Sequence, residues 1–387
     1  MISLSRRMQN AAPNILAQLE EKVRTRKNAG LPVYNLSAGT PDLPPDSHVM
    51  EALSKAALDP ENYKYAISDF PELLDTAVDW YRERYGVFLE RDAVTSVYGT
   101  QEGMAHIAFP ICNPGDVVLV PDPGYPVFRS GPMLAGAELV TMQLREDNGY
   151  IIDLDAIPST VAHQAKLMVV SYPNNPVTAC APPEFYERLV AFAKKYDILI
   201  IHDNAYNELV LDGEPGISFL SLPGSMDVGI EFNSLSKSYN LTGMRMSFAL
   251  GNPGVIGAFR TLRSQIDYGP FPAVQKAAIA ALRGPQDILR RNREEYRFRG
   301  DVLTKGLCGI GWDVTAPHST MFAWYPLPDG HTDDVAFTFR LLELSGVVCV
   351  PGSSFGEMGK GYVRFALVLP ANDLSEAAEA IAKCGIL

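Results

Sequence analysis

Short apolar runs, each closed by turn residues, mark the middle of the chain. They cover residues 116–120, 139–142, 166–171, 198–201, 228–232 and 246–250. The first closes on Pro121, Pro123 and Gly124, and the third on Pro173. Between the third and fourth, residues 184–196 change period, with Phe185, Leu189, Phe192 and Tyr196 on one helical face before Asp197 breaks it. Alternating strands and helices predict an α/β architecture, a mostly parallel sheet covered on both faces. Ligands of such sheets sit beyond the carboxyl ends of the strands. Candidate chemistry therefore belongs in the loops that follow these runs.

The texture changes after Arg293. Residues 294–307 read as a charged amphipathic helix, 321–325, 347–350 and 362–369 as strands, and 373–383 as a closing helix. This pattern predicts a smaller α+β unit, with a bend between units expected at 286–295. The opening segment, 3–29, is helical in character and is expected to pack on that smaller unit. A length of 387 residues suits two or three packed units.

Composition narrows the function classes. Hydrophobic residues make up 47% and charged residues 20%, the texture of an ordinary globular protein. The formal net charge of −12 argues against a nucleic-acid partner. Five scattered cysteines without a Cys-x-x-Cys pair form neither a disulfide framework nor a zinc site, and suit a reducing cytosol. Residues 1–7 lack a following apolar run, and no apolar stretch is long enough to span a bilayer, so the expectation is a cytoplasmic protein without a membrane partner.

Lys237 stands out among the strand-end residues. It lies in Ser234-Leu235-Ser236-Lys237-Ser238-Tyr239, directly after the run 228–232, with Arg245 eight residues on. Lysine amines form Schiff bases with aldehydes, the use that pyridoxal phosphate (PLP) enzymes make of them. Such an enzyme also needs an acid for the pyridine nitrogen, a cradle for a dianionic phosphate and a clamp for the substrate carboxylate. Asp203, after the run 198–201, is the candidate acid, although an Asp there also fits a helix cap. Gly99-Thr100-Gln101, before the apolar helical run from Met104, is the candidate cradle, with Ser234, Ser236 and Arg245 completing it. Read alone, it is also an ordinary turn. Asn175 and Tyr206 are candidates to bind the cofactor's phenolic oxygen and Tyr125 to stack on its ring, although Asn-Pro also starts turns and a tyrosine also serves as packing. Arg364 is a lone cation in an apolar strand, a bidentate partner for a carboxylate or else an edge-strand arginine.

These segments, with Leu36-Ser37-Ala38-Gly39-Thr40-Pro41-Asp42 ahead of them, resemble the class I/II aminotransferases, PLP enzymes of fold type I. The stretches Asn113-Pro114-Gly115-Asp116, Pro121-Asp122-Pro123-Gly124-Tyr125-Pro126 and 234–243 are most similar to the LL-diaminopimelate aminotransferase branch. The resemblance implies a large PLP-binding domain over 36–287 around a mostly parallel seven-stranded sheet. It also implies a small domain over 288–387, with 1–35 packing on it. By position, Lys237 would hold the cofactor and move the proton at the substrate Cα, with Asp203 and Tyr206 assisting. Gly99, Thr100, Gln101, Ser234, Ser236 and Arg245 would surround the phosphate, and Gly39, Asn175 and Arg364 would face the substrate carboxylate. Tyr65 resembles the tyrosine that reaches the neighbouring subunit's cofactor, which implies a homodimer. The implied substrates are an α-amino acid and a 2-oxo acid, with 2-oxoglutarate the expected acceptor. A carbon–sulfur β-lyase on the same fold is the alternative, since both share every cofactor contact. Two departures from the family pattern stand out. Gln101 replaces a lysine often present in members acting on dicarboxylates, and Asn175-Pro176-Val177-Thr178 replaces Asn-Pro-Thr-Gly.

Overall fold

The computed structural model describes residues 15–213 and 215–387. Its centre is a seven-stranded sheet. In chain order the strands are β2 (Val94–Val97), β3 (Val117–Asp122), β4 (Glu138–Gln143), β5 (Ala165–Ser171), β6 (Leu199–Asp203), β7 (Gly229–Ser234) and β8 (Ser247–Gly251). The spatial order is β2-β8-β7-β6-β5-β3-β4. All contacts from β7 through β4 are parallel, and β8 runs antiparallel to both β7 and β2.

The sheet is buried on both faces, so its inner strands are apolar at successive positions rather than at alternate ones. Within β5, Met168 and Val170 join one apolar cluster, together with Leu73, Leu189 and Ala278. Leu167 and Val169 join the other, with Met104, Phe128 and Phe259. The two-residue period thus survives as a choice of face. It also sends Asp203 to the side of Ile201, away from its neighbour His202.

The C-terminal part builds a second core. Strands β9 (Phe322–Pro326), β11 (Val350–Pro351) and β12 (Tyr362–Ala366) form an antiparallel sheet with β12 in the middle. The short strands β1 (Tyr34–Asn35) and β10 (Val347–Val348) pair in parallel beside it. Helices Asp287–Cys308 and Ala371–Cys384 bury Leu303, Leu307, Leu374 and Ile381 against Trp312 and Phe365. Helix Ile15–Asn28 lays Leu19 and Val23 on Leu342 and Val348, and Arg26 Nη1 donates to Glu343 O at 2.7 Å. The expected helical residues 3–14 lie outside the described residues.

Two sequence expectations change. Residues 347–350 are not one strand: β10 and β11 serve different sheets, with buried Cys349 between them. The strand expected to run to 369 ends at Ala366. Next to the expected bend, helix Pro272–Arg283 stops at Gly284 and a new 22-residue helix starts at Asp287. Gln286 makes this break affordable by donating from Nε2 to the carbonyls of Ala281, Leu282 and Gly284, which a helix end leaves open. A side chain at 284 would also run into His48.

Candidate active site

The carboxyl ends of β5, β6 and β7 open into a cavity of about 320 Å³. Register places Ser171, Asp203 and Phe232 in one row across these strands. Lys237 follows β7 in the short helix Leu235–Ser238, which Ser234 caps by accepting from Ser236 N. The lysine amine donates to the carbonyl of Gly39, so the segment after β1 closes one wall. Burial, and then the charges of Arg364 and Arg245, push this amine down to about 8. It is an unusual lysine, poised to lose its proton near neutrality.

Asp203 is 7% exposed, and its Oδ1 has no hydrogen-bond partner. Burial raises its carboxyl to about 6, against a lowering contribution from His202. The backbone N–H of Ala205 serves this carboxylate as a cap would. Oδ1 nevertheless stays open among the described residues, and a buried open acceptor suits a donor such as a protonated pyridine nitrogen. Tyr206 lies beside Asn175, and burial holds its hydroxyl well above the ordinary tyrosine range. It therefore keeps its proton as a donor. Tyr125 donates to Gln101 Oε1 at 3.0 Å.

Gly99, Thr100, Ser234, Ser236 and Arg245 meet at one end of the cavity. Gly99 has φ +86 and opens helix Thr100–His106. A Cβ there would lie 2.0 Å from Arg245 Nη2, so only glycine admits the guanidinium. Arg245 donates to Thr242 O at 3.0 Å and to Tyr98 O at 3.1 Å. The N–H groups of Thr100 and Gln101, in the helix's first turn, have no intrahelical acceptor. Three hydroxyls, open N–H groups and a cation suit a phosphate dianion.

Arg364 is not the edge-strand arginine that its sequence position also allowed. It sits on β12, the middle strand, and is 5% exposed. Nη1 donates to Asn175 Oδ1 at 2.8 Å and Nη2 to Ser37 O at 3.0 Å. The guanidinium lies between two rings, 4.1 Å from the centroid of Phe322 and 4.7 Å from that of Phe355. Burial pulls its pKa down to about 10. With no acidic partner among the described residues, it is a buried cation suited to an anion.

The cavity is lined by every sequence-nominated residue except Gly99, which lies against Arg245, and Tyr65. Tyr65 is 82% exposed and packs on Tyr268, away from this cavity. Sequence reasoning missed Phe322, Phe355 and Thr242. Phe322 reads as ordinary strand packing, yet it also fixes Gly39, where a Cβ would lie 2.8 Å from its ring. Phe355 lies in a loop whose pattern carries no signal.

Comparison with known proteins bears on this geometry. Residues 32–381 match the family described as aminotransferase class I and II. The LL-diaminopimelate aminotransferase of Moorella thermoacetica is 44% identical over 377 residues, 97% of this chain and 96% of that protein. The Aquifex aeolicus protein of the same name is 40% identical, covering 98% and 99%. Among solved structures, substrate-bound BacF from Bacillus subtilis superposes with a TM-score of 0.95 at 35% identity, covering 99% of this chain and 98% of that one. A Thermus thermophilus aspartate aminotransferase single mutant gives 0.93 at 28%, covering both chains fully. This chain belongs to the class I and II aminotransferases, which are pyridoxal phosphate enzymes.

Proposed function

We propose that this aminotransferase works in the cytoplasm as a homodimer and moves the amino group of LL-diaminopimelate to 2-oxoglutarate. The names of full-length relatives up to 44% identical support that donor. The observation that carries the site assignment is a single cavity in which the Lys237 amine, the Asp203 carboxylate with its open Oδ1 and the Arg364 guanidinium all meet.

Pyridoxal phosphate, when bound, supplies an electron sink for the pair left at the substrate Cα. This chain's residues do the rest. Arg364 and Asn175 hold the α-carboxylate, with the Gly39 segment beside it. Lys237, with its lowered pKa, takes the Cα proton and returns it during transfer. Asp203 keeps a proton on the facing ring nitrogen, and Tyr206 and Asn175 donate to the phenolic oxygen. Thr100, Ser234, Ser236 and Arg245 hold the phosphate. The proposed division is a PLP-binding domain over 36–287 and a small domain over 288–387, with the opening segment on the latter.

The dimer reading is supported by the surface that carries Tyr65. Ile67 is 77% exposed, and Tyr63, Tyr268, Ile266 and Phe271 are exposed nearby. Tyr63 packs on Phe271 at 5.2 Å and Tyr65 on Tyr268 at 5.3 Å. A second copy would cover this apolar patch. Among the described residues, no helix is long and apolar enough to cross a membrane. Single-turnover spectra test the activity. A transaminase loses its cofactor absorbance stoichiometrically with LL-diaminopimelate and recovers it with 2-oxoglutarate. With an S-alkylcysteine in place of that donor, recovery without any 2-oxo acid, plus release of the thiol, would favour the lyase.

A further inference from the structure

We propose that Asp122 is a positioning residue for carboxylate recognition. It acts on Arg364 through the loop that carries Phe355. The inference rests on the reading of Arg364 as the carboxylate clamp.

Asp122 ends β3, and its side chain is 6% exposed. Oδ1 accepts from Met358 N at 3.2 Å, and Oδ2 lies 3.0 Å from Arg129 Nη2. Between Phe355 and Met358 the loop comes so close that a Cβ on Gly356, at φ +137, would lie 2.0 Å from Asp122 Oδ1. Two residues beyond Asp122, Gly124 N donates to Phe355 O at 2.8 Å. The end of β3 therefore grips the loop at both sides of Gly356. On the far side, Leu144 N donates to Asp122 O at 2.7 Å and fixes the strand end itself.

The gripped loop matters because of where its ring points. Phe355 packs on Trp324 at 6.0 Å and forms one of the two faces that hold the Arg364 guanidinium. A desolvated cation between rings is oriented by both. Tyr125 follows on the same strand end and lines the cavity. One carboxylate thus fixes the ring behind the clamp relative to the cofactor side of the site. A bond that served only to anchor helix Val127–Ala135 through Arg129 would need neither Met358 nor the bare backbone at Gly356.

The test compares D122A, D122N, F355A and D122A/F355A as holoenzymes. The readouts are cofactor dissociation constant, KM and kcat with an amino donor, and the competitive Ki of 3-phenylpropionate, a carboxylic acid without an amino group. D122A should raise KM and Ki about tenfold, with kcat and cofactor affinity within about twofold, as expected for a clamp displaced by a fraction of an ångström. D122N keeps an acceptor for Met358 N and should lose less than about threefold. The double variant should be no worse than F355A, because both changes act on one ring. Additive losses, or equal falls in kcat and cofactor affinity, would overturn the proposal. R364A separates the two readings: if it leaves Ki unchanged, the clamp assignment itself fails.

Discussion

Arg364 and Asn175 are joined by a 2.8 Å hydrogen bond from Nη1 to Oδ1, and the asparagine also lies against Tyr206. The residue that orients the buried cation thus borders the tyrosine proposed for the phenolic oxygen. Loss of Arg364 should therefore be selective. Arg364→Ala should raise KM for amino donors roughly 10- to 100-fold, the worth of a charged hydrogen bond. Cofactor affinity should change little. Steady-state kinetics beside a cofactor titration checks both.

Lys237 offers a pH prediction. In the cofactor-free protein its amine titrates at about 8, below the 10.5 of an unfolded lysine. Between these values the folded state binds fewer protons, so this group makes stability rise with pH there. Trinitrobenzenesulfonate should label Lys237 in the apo-protein with a midpoint near 8. In Arg364→Ala the midpoint should move up, since a nearby positive charge is gone. Peptide mapping across pH reads both.

Asp203 has the opposite sign. Its folded value, about 6, exceeds the ordinary 3.8, so apo-protein stability from this group falls as pH rises from about 4 to 6. Asp203→Asn should stabilise the apo-protein above pH 6 by ~2–3 kcal/mol. The same change should weaken cofactor binding and slow turnover by orders of magnitude. Thermal melts with and without cofactor should cross: the variant melts higher when empty and lower when loaded.

Tyr65 tests the dimer. Mixed subunits of Tyr65→Ala and Lys237→Ala should regain activity, since a hybrid holds one intact site. A fully active monomer in sedimentation would end this reading.

Gln101 tests donor choice. Its amide already accepts from Tyr125, and the cations lining the cavity are Lys237, Arg245 and Arg364. Aspartate should therefore react more slowly than longer or neutral donors. Gln101→Lys should raise its relative rate a few-fold to tens-fold, the gain of a charged over a neutral hydrogen bond. A wild type that prefers aspartate would refute this.

Most of the sheet was legible because buried parallel strands leave unbroken apolar runs, and 166–171 and 198–201 fall within two residues of β5 and β6 at each end. β2 escaped the pattern reading: its four residues include Thr95 and Ser96, whose polarity is answered by Asp69. Lys237, Asp203 and Arg364 were legible because charge at a strand end or inside an apolar strand is costly to keep. Phe355 was not, because its role depends on a loop held by a carboxylate 233 residues earlier in the chain.

The antiparallel β8 has a consequence for how the site is assembled. Had it run parallel to β7, a crossover of a dozen or more residues would have carried the chain back across the sheet, and its beginning would lie at the far end from Lys237. Instead the chain turns within residues 235–246 and delivers Arg245 to the same rim that it left. The lysine proposed to hold the cofactor and the arginine proposed for its phosphate therefore come from one excursion whose span is set by the ladder on either side. Inserting even a few residues there should leave the fold intact, since lengthening a loop costs little. It should nevertheless separate the lysine from the arginine, so the length of this turn matters to the site more than to the fold.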